Sequence, residues 1–274
     1  MNQLSILLFT LLTLIGRAEI INGTVISAVD KKPVAYVNIG IAGKGTGTVS
    51  DSNGKFTIIL PDSLLSESLK FSCIGYKNQS VKVRDLIKSM TNNTADIILH
   101  ENIFSLSQVV VKPKNLKTKV VGNKNNNKNA SAGFRSNDLG SELGTIMKIK
   151  KAPAFIENVN FNIAQNDIPN AKFRVNIYSV KNNLPDSILL KQPIYITTSL
   201  SSGTLSLDMR PYNIWVNGDF MVSLEWIENY ETSKLHFCVG LMDSNSLWRK
   251  TSQDTWQKST PVGIGFNSTV TYEK

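Results

Sequence analysis

Short runs in which apolar and polar residues alternate recur along the chain, separated by clusters of Gly, Pro, Asn and Asp. This pattern predicts closely spaced β-strands, because successive side chains of a strand point to opposite faces of a sheet. In one such run Phe173, Val175 and Ile177 share a face. Arg174 and Asn176 share the opposite face. We therefore expect the first face to lie in a core and the fold class to be all-β.

The distribution of these runs divides the chain into four parts. Residues 1–18 contain an apolar run followed by Gly16, Arg17 and Ala18, which predicts a signal peptide cleaved after Ala18; an uncleaved anchor is the alternative. Residues 19–112 and 141–274 are rich in strand patterns and predict two β-sandwich domains. Residues 113–140 are dominated by Lys, Asn, Ser and Gly, which predicts a solvated linker between them.

The first predicted sandwich carries an ordered set of motifs: Ile21-Asn-Gly-Thr-Val, Lys32-Pro-Val-Ala-Tyr-Val-Asn-Ile, Gly45-Thr-Gly-Thr-Val-Ser-Asp-Ser-Asn-Gly-Lys-Phe and Leu69-Lys-Phe-Ser-Cys-Ile-Gly-Tyr. The set resembles the carboxypeptidase-D regulatory-like domain, in the bacterial version that forms the N-terminal extension of TonB-dependent receptors. The resemblance implies an immunoglobulin- or transthyretin-like sandwich without catalytic residues. It also implies a place in the periplasm, at the outer membrane or outside the cell.

Asp51, Asn53 and Gly54 predict a structural turn between two strands of this domain. An aspartate can accept backbone N–H bonds there, and a glycine can adopt positive φ. A calcium loop is the alternative, but the next residues offer no further carboxylate.

The second predicted sandwich has longer alternating runs, such as Phe220-Met-Val-Ser-Leu-Glu-Trp-Ile. It resembles, more faintly, a jelly-roll module that accompanies regulatory-like domains in envelope proteins. The part of the chain after the first domain is too short for the transmembrane barrel of a receptor, so the resemblance implies a location and not a transport activity.

The formal net charge of +9 is concentrated in and next to the predicted linker, where Lys112 directly precedes it and Lys114, Lys117, Lys119, Lys124 and Lys128 lie within it. No aromatic residues are interspersed with these lysines to stack on bases, and the predicted export signal argues against a nucleic-acid compartment. We therefore expect no nucleic-acid partner. After removal of the signal we also expect no integral membrane segment.

The chain offers few residues for catalysis or metal binding. It has two histidines, His100 and His236, in different predicted domains, and no Gly-x-Ser-x-Gly motif, so no catalytic triad, metal site or cofactor is predicted. Cys73 and Cys238 are predicted to be buried free thiols, with an interdomain disulfide as the alternative. A carbohydrate-active hydrolase remains the alternative, with candidate carboxylates at Asp208, Asp219, Glu225, Glu228 and Glu231.

Trp248 and Trp256 are the strongest candidates for ligand binding, because polar and charged residues surround both in the sequence. The sequence thus predicts a non-catalytic exported envelope protein that acts as a binding or scaffolding module, with a glycan or an envelope protein as partner. A link to outer-membrane nutrient uptake follows from the receptor resemblance.

Overall fold

The structure is a computed structural model that describes residues 18–102, 115–134, 138–230, 234–241 and 245–274. Its regular elements are nearly all strands, as the alternating pattern predicts. The strands of the first sandwich are β1 (Ala18–Ser27), β2 (Asn38–Ile41), β3 (Thr46–Val49), β4 (Lys55–Pro61), β5 (Ser68–Ser72), β6 (Gln79–Lys82) and β7 (Thr94–Leu99). One short helix, α1 (Val83–Ser89), follows β6, and a single 3₁₀ turn (Asp62–Leu64) follows β4.

The first sandwich consists of a three-stranded sheet, β4-β1-β7, and a four-stranded sheet, β3-β2-β5-β6. Strand β1 pairs antiparallel with β4 and parallel with β7. Alternate residues of these strands, such as Ile21, Ile58 and Ile97, are buried in the space between the sheets. Phe56 and Phe71 fill the same core, with ring centroids 5.8 Å apart. Each sheet therefore buries one face, which accounts for the period of two in the sequence.

A tight turn joins β3 to β4 at the predicted position. The Asp51 carboxylate accepts hydrogen bonds from the backbone N–H groups of Asn53 and Lys55, both at 2.8 Å. Gly54 has a φ of 71°. These contacts account for the residue types in the turn without a bound ion.

The second sandwich contains the remaining strands and a 3₁₀ turn (Arg210–Tyr212). They are β8 (Leu116–Gly122), β9 (Ser131–Gly133), β10 (Glu142–Met147), β11 (Ala154–Asn166), β12 (Ala171–Lys181), β13 (Leu184–Ile188), β14 (Ile194–Thr198), β15 (Gly203–Asp208), β16 (Trp215–Val216), β17 (Phe220–Trp226), β18 (Leu235–Leu241), β19 (Ser246–Arg249), β20 (Gln257–Lys258), β21 (Val262–Ile264) and β22 (Phe266–Glu273). One sheet has the order β13-β12-β17-β10-β19-β20, with β14 also paired to β12. The other has the order β21-β18-β11-β22-β8, with β15 and β16 on β11 and β9 on β18.

Aromatic rings fill the space between these two sheets. Phe134 stacks on Phe173, with centroids 5.8 Å apart, and meets Trp226 edge-on at 4.9 Å. Phe237 and Phe266 continue the cluster at 4.8 Å. The predicted core face of β12 lies in this cluster, since Phe173, Val175 and Ile177 are all fully buried there. The assignment of the sandwich as a jelly roll stays a prediction.

The prediction of a solvated linker over 113–140 is wrong for much of that range. Strand β8 pairs with β22 along its whole length, and β9 pairs with β18. Val121 and Phe134 are buried in the core of the second sandwich. The polar composition of the segment wrongly indicated a linker, because an edge strand needs few apolar side chains when its backbone bonds to a neighbouring strand.

The Asn-rich stretch between β8 and β9 is ordered by its own side chains. The side-chain oxygens of Asn123, Asn125 and Asn127 each accept a hydrogen bond from the backbone N–H two residues later, at 2.8–2.9 Å. The Asn125 side chain also donates to the Val239 carbonyl at 2.7 Å. Asparagine therefore supplies local hydrogen bonds that replace a sheet ladder here.

Two other predictions fall mainly outside the described residues. The predicted signal peptide covers 1–18, of which only Ala18 is described, as the first residue of β1. Lys112 and Lys114 of the basic segment are also outside. Within the described ranges, no helix has both the length and the apolar character needed to cross a membrane.

Candidate functional site

A row of four charged side chains crosses the outer face of the seven-stranded sheet of the second sandwich. Arg249, Glu142, Glu225 and Arg174 lie side by side on the adjacent strands β19, β10, β17 and β12, because the strand registers align them. The residues on either side of Arg174 along β12 point into the core, so alternation turns this row outward. We call these four residues the charge row.

The charge row is buried, with the Glu142 and Glu225 side chains fully inaccessible and those of Arg174 and Arg249 exposed by only 3% and 10%. Arg174 Nη2 lies 2.9 Å from Glu225 Oε2, and Arg249 Nη2 lies 2.5 Å from Glu142 Oε2. Each carboxylate thus faces its own guanidinium.

The two carboxylates are adjacent and are joined by an amide. Asn176 Nδ2 donates to Glu142 Oε1 at 2.9 Å and to Glu225 Oε2 at 2.8 Å. Ser223 Oγ donates to Glu142 Oε1 at 2.5 Å, and the Tyr178 hydroxyl also donates to Glu142. These donors lower the repulsion between the like charges.

The ionisation of Glu225 is set by two opposing effects. Burial alone raises the pKa of a carboxyl, but the nearby charges of Arg174 and Arg249 outweigh it, and the pKa of Glu225 is lowered below its ordinary value. Burial likewise opposes the charge of Arg174, and attraction to Glu225 outweighs it and raises the pKa of Arg174. Glu225 and Arg174 are therefore both charged at neutral pH.

The first sandwich covers this row and bonds to it. Arg174 Nη1 donates to the Tyr36 carbonyl at 2.5 Å, and its Nη2 donates to the side-chain oxygen of Asn38. Beside it, Lys172 Nζ donates to the Tyr36 hydroxyl at 2.7 Å, and that hydroxyl donates to Glu228 at 2.6 Å. The polar face of β12 is thus the surface on which the first sandwich docks.

A loop of the second sandwich adds further contacts between the two. Gly43 donates its backbone N–H to the Gln253 carbonyl at 3.0 Å, and Gly45 donates to the Asp254 carboxylate at 3.2 Å. Gln253 Nε2 donates to Ser72 Oγ at 2.8 Å. The two sandwiches are therefore joined by backbone as well as side-chain bonds.

A cleft of about 360 Å³ opens between the two sandwiches, beside the docking contacts. We call it the interdomain cleft. The side contributed by the first sandwich includes Asn38, Lys70, Ser72, Cys73, Tyr76, Asn78 and Asn102, and the side contributed by the second includes Arg174, Asn176, Tyr178, Asp186, Arg249, Gln253 and Trp256. Its size falls in the range typical of small-molecule sites.

The structure separates the two tryptophans proposed as ligand contacts. Trp256 is half-buried in the interdomain cleft, where the Arg249 guanidinium lies 5.0 Å from its ring centroid and Tyr178 meets its ring edge-on at 5.9 Å. Trp248 is also half-buried but packs against the core between the sheets, with Leu143 and Phe134 in the same pocket. Of the two candidates, Trp256 therefore lines the cleft and Trp248 does not.

The carboxylates proposed for hydrolysis lie in separate surroundings. Glu225 is fully buried, because the first sandwich covers its face of the sheet. Asp208 pairs with Arg210, and Asp219 pairs with Lys148, on the exposed surface. Glu228 pairs with Lys172 next to Tyr36, and Glu231 lies outside the described residues.

Neither cysteine forms a disulfide. Cys73 lines the cleft half-buried, and burial raises the pKa of its thiol. Cys238 is buried, and burial raises its pKa as well. His236 lies 3.4 Å from the Ser131 hydroxyl, in the sheet of the second sandwich that does not carry the charge row. In the described ranges, no three His, Cys, Asp or Glu side chains are grouped to hold a metal ion.

Sequence reasoning missed Glu142, Arg174 and Arg249 as parts of one site. A signal was present for Glu142 and Arg174, because each is a charged residue within a strand and its neighbours are apolar or small. A charge repeated on the outer face of adjacent strands indicates a second layer on that face, since such residues are rarely buried without partners. The pairing of the strands was needed to align them.

Residues 21–111 match the family model described as "CarboxypepD_reg-like domain". The resemblance deduced from the motifs is thereby confirmed for the first sandwich. Among curated proteins, the chain is similar to TonB-dependent receptor P3 of Formosa agariphila, at 33% identity over 115 residues. That match covers 40% of this chain and 11% of the receptor, so the chain spans about a tenth of the relative's length.

Two solved structures show a loose likeness. One contains the cysteine protease and lectin-like domains of Cwp84, a surface layer associated protein of Clostridium difficile, with a TM-score of 0.38, 13% identity, and coverage of 48% of this chain and 32% of that one. The other is a variant of the clostridial cysteine protease Cwp84 after propeptide cleavage, with a TM-score of 0.41, 11% identity, and coverage of 92% and 61%. TM-scores this low support no inference about function.

Proposed function

We propose that this chain is a non-catalytic, exported envelope protein that binds a ligand in the interdomain cleft. The regulatory-like domain and the similarity to part of a TonB-dependent receptor fit an envelope role without catalysis. The observation that carries the binding proposal is the cleft itself, because both sandwiches contribute polar side chains to it and the second adds Trp256. Small-molecule sites commonly form at such domain interfaces.

The docking contacts support a binding role because they hold the walls of the cleft in place. Arg174 and Asn38 line the cleft and bond to each other across the two sandwiches, as do Gln253 and Ser72. A preformed site loses less conformational freedom when a ligand binds. The docked arrangement of the two sandwiches therefore favours ligand binding to a rigid cleft. The same rigid pair of sandwiches also serves as a scaffold.

The hydrolase alternative has less support. A glycosidase needs one carboxyl that donates a proton to the leaving group and a second that acts as nucleophile or base. Glu142 and Glu225 are adjacent, but both are fully buried and each is held by a guanidinium. The lowered pKa of Glu225 also opposes a role as proton donor.

We place the protein in the periplasm, at the outer membrane or outside the cell, where the partner is a glycan or another envelope protein. A position next to an outer-membrane nutrient uptake system is consistent with the receptor similarity. No nucleic-acid partner is proposed.

The proposal is tested by ligand screening of residues 19–274, with thermal shift as the readout and chromatography of each ligand afterwards. We expect at least one glycan or peptide to raise the unfolding temperature and to be recovered unchanged. Conversion of the ligand that stops in Glu225→Gln would support the hydrolase instead. Absence of any shift across neutral glycans, acidic glycans and peptides would rule out binding at the cleft.

A further inference from the structure

The ligand class can be narrowed from the charges around the interdomain cleft. Its two guanidiniums, those of Arg174 and Arg249, are neutralised by Glu225 and Glu142 directly behind them. An anionic ligand would have to compete with carboxylates already at 2.5–2.9 Å. These two guanidiniums therefore give the floor of the cleft little net charge to attract an ion.

The other charges of the cleft also offset each other. Lys70 of β5 lies in the side formed by the first sandwich, and Asp186 of β13 lies in the side formed by the second. One positive and one negative group on opposite sides favour neither an anion nor a cation. An uncharged ligand fits this balance best.

Hydrogen-bonding groups around the cleft remain unused. Asn78, Asn102 and Trp256 line it, and within the described ranges neither the two side-chain amides nor the indole N–H makes a hydrogen bond. The Nε of the largely buried Arg249 side chain is also without a hydrogen-bond partner in the same part of the chain. An amide both donates and accepts, so it suits hydroxyl groups, which do the same.

The aromatic ring adds an apolar surface to this polar lining. Trp256 is half-buried, with the Arg249 guanidinium over its ring, Tyr178 in edge contact and the buried cluster around Met221 packed against it. The face of an aromatic ring is electron-rich, so it attracts C–H groups that neighbouring oxygens have polarised. A ligand with hydroxyl groups on its edge and C–H groups on its faces would match both features.

We infer that the interdomain cleft binds an uncharged polyhydroxyl ligand, a short segment of a neutral oligosaccharide, with Trp256 as the stacking residue and Asn78 and Asn102 as hydrogen-bonding residues. This inference rests on the proposed function and specifies the ligand of the same site. The volume of about 360 Å³ suits a few sugar units and is too small for the surface of a folded protein partner.

Calorimetric titration of residues 19–274 tests the inference. The probes are neutral trisaccharides of glucose, galactose, mannose and xylose, with trigalacturonate as the anionic counterpart. We expect at least one neutral trisaccharide to bind and trigalacturonate to bind at least about tenfold more weakly, because a buried unpaired charge is costly.

Variants locate the site. Trp256→Ala is expected to weaken binding at least about tenfold, and Trp256→Phe to restore most of it, because the ring face is kept. Asn102→Ala is expected to weaken binding about two- to tenfold, the effect of one hydrogen bond. The matched control is Trp215→Ala, since Trp215 is equally half-buried but packs on Phe155 in the opposite sheet.

The outcomes separate the inference from the proposed function. Preference for trigalacturonate, lost in Trp256→Ala, would overturn the ligand class and leave binding at the cleft intact. Neutral binding that Trp256→Ala and Asn102→Ala do not change would place the saccharide elsewhere and overturn the site. Binding of none of these probes would overturn the inference, and the wider ligand screen would then decide the proposed function.

Discussion

Arg174 has two roles, which its position on the outer face of β12 allows. Within the second sandwich it neutralises Glu225, and across the interface it donates to the Tyr36 carbonyl and to Asn38. A buried ion pair contributes little net stability compared with apolar packing, but removing one partner leaves an uncompensated buried charge. Replacing Arg174 should therefore lower the stability of the fold, whatever the net contribution of its ion pair with Glu225 to that stability.

We expect Arg174→Met to lower the free energy of unfolding at neutral pH by about 3–5 kcal/mol, because Glu225 loses its main partner. The native pKa of Glu225 is lowered, so its contribution is present above the ordinary value of 4.5 and is lost as the pH falls through the native pKa. The effect of the substitution should shrink accordingly at acidic pH. Urea denaturation at several pH values measures the loss of stability at neutral pH and its decrease at acidic pH.

The control is Arg210→Met, whose guanidinium pairs with Asp208 on the exposed surface. It should change the unfolding midpoint by no more than experimental error, because exposed ion pairs contribute little. An equal loss of stability in Arg174→Met and Arg210→Met would show that burial of the charge row does not account for the destabilisation.

Strand β8 and the asparagines that follow it show how an element forms without a strong apolar pattern. Most side chains of β8 are exposed, and Val121 alone is buried. The strand is held by its ladder to β22 and by the Thr118 and Thr271 hydroxyls, 2.9 Å apart. Asn125 then bonds to the backbone of β18 through Val239.

We expect Asn125→Ala to lower the free energy of unfolding by about 1–2 kcal/mol, because the Val239 carbonyl and the Asn127 N–H lose their partners. Asn127 is exposed, and its side chain accepts the local hydrogen bond from the Asn129 backbone N–H. Asn127→Ala should therefore change the free energy of unfolding by no more than about 0.5 kcal/mol. Denaturant unfolding of both variants gives the comparison. Equal effects would mean that the contact with β18 adds nothing to the local turn.

At the scale of the whole molecule, the close approach of the two sandwiches depends on small residues. A Cβ added at Gly40 would lie 2.5 Å from the Ser252 carbonyl oxygen and 3.2 Å from Gln253 Cβ, both in the second sandwich. The sheet of the first sandwich therefore has no room for a side chain at this position when the two are docked.

Gly40→Ala is expected to separate the sandwiches, so that one cooperative thermal transition becomes two and the radius of gyration increases. Calorimetry and small-angle scattering measure these changes. The control is Gly218→Ala, where an added Cβ meets nothing within 4 Å. A single unchanged transition in Gly40→Ala would contradict rigid docking.

The sequence by itself determined the all-β class, the core faces of strands such as β12 and the regulatory-like first domain. Alternation depends only on local backbone geometry, and the motifs lie close together in the chain. The end of the first domain at residue 112 and the jelly-roll assignment stay predictions, whereas the linker over 113–140 is wrong for much of its range.

Only the tertiary structure decided where the outward-facing polar residues go. Alternation correctly turned Arg174 and Glu225 away from the core, but whether that face meets water or another sheet is a property of contacts between distant segments. Arg174 bonds to Tyr36 and Asn38 across more than a hundred residues of chain, and β8 pairs with β22 across a similar distance. Such contacts determine which polar side chains are buried, and burial in turn affects their ionisation. No local pattern of apolar residues encodes these contacts.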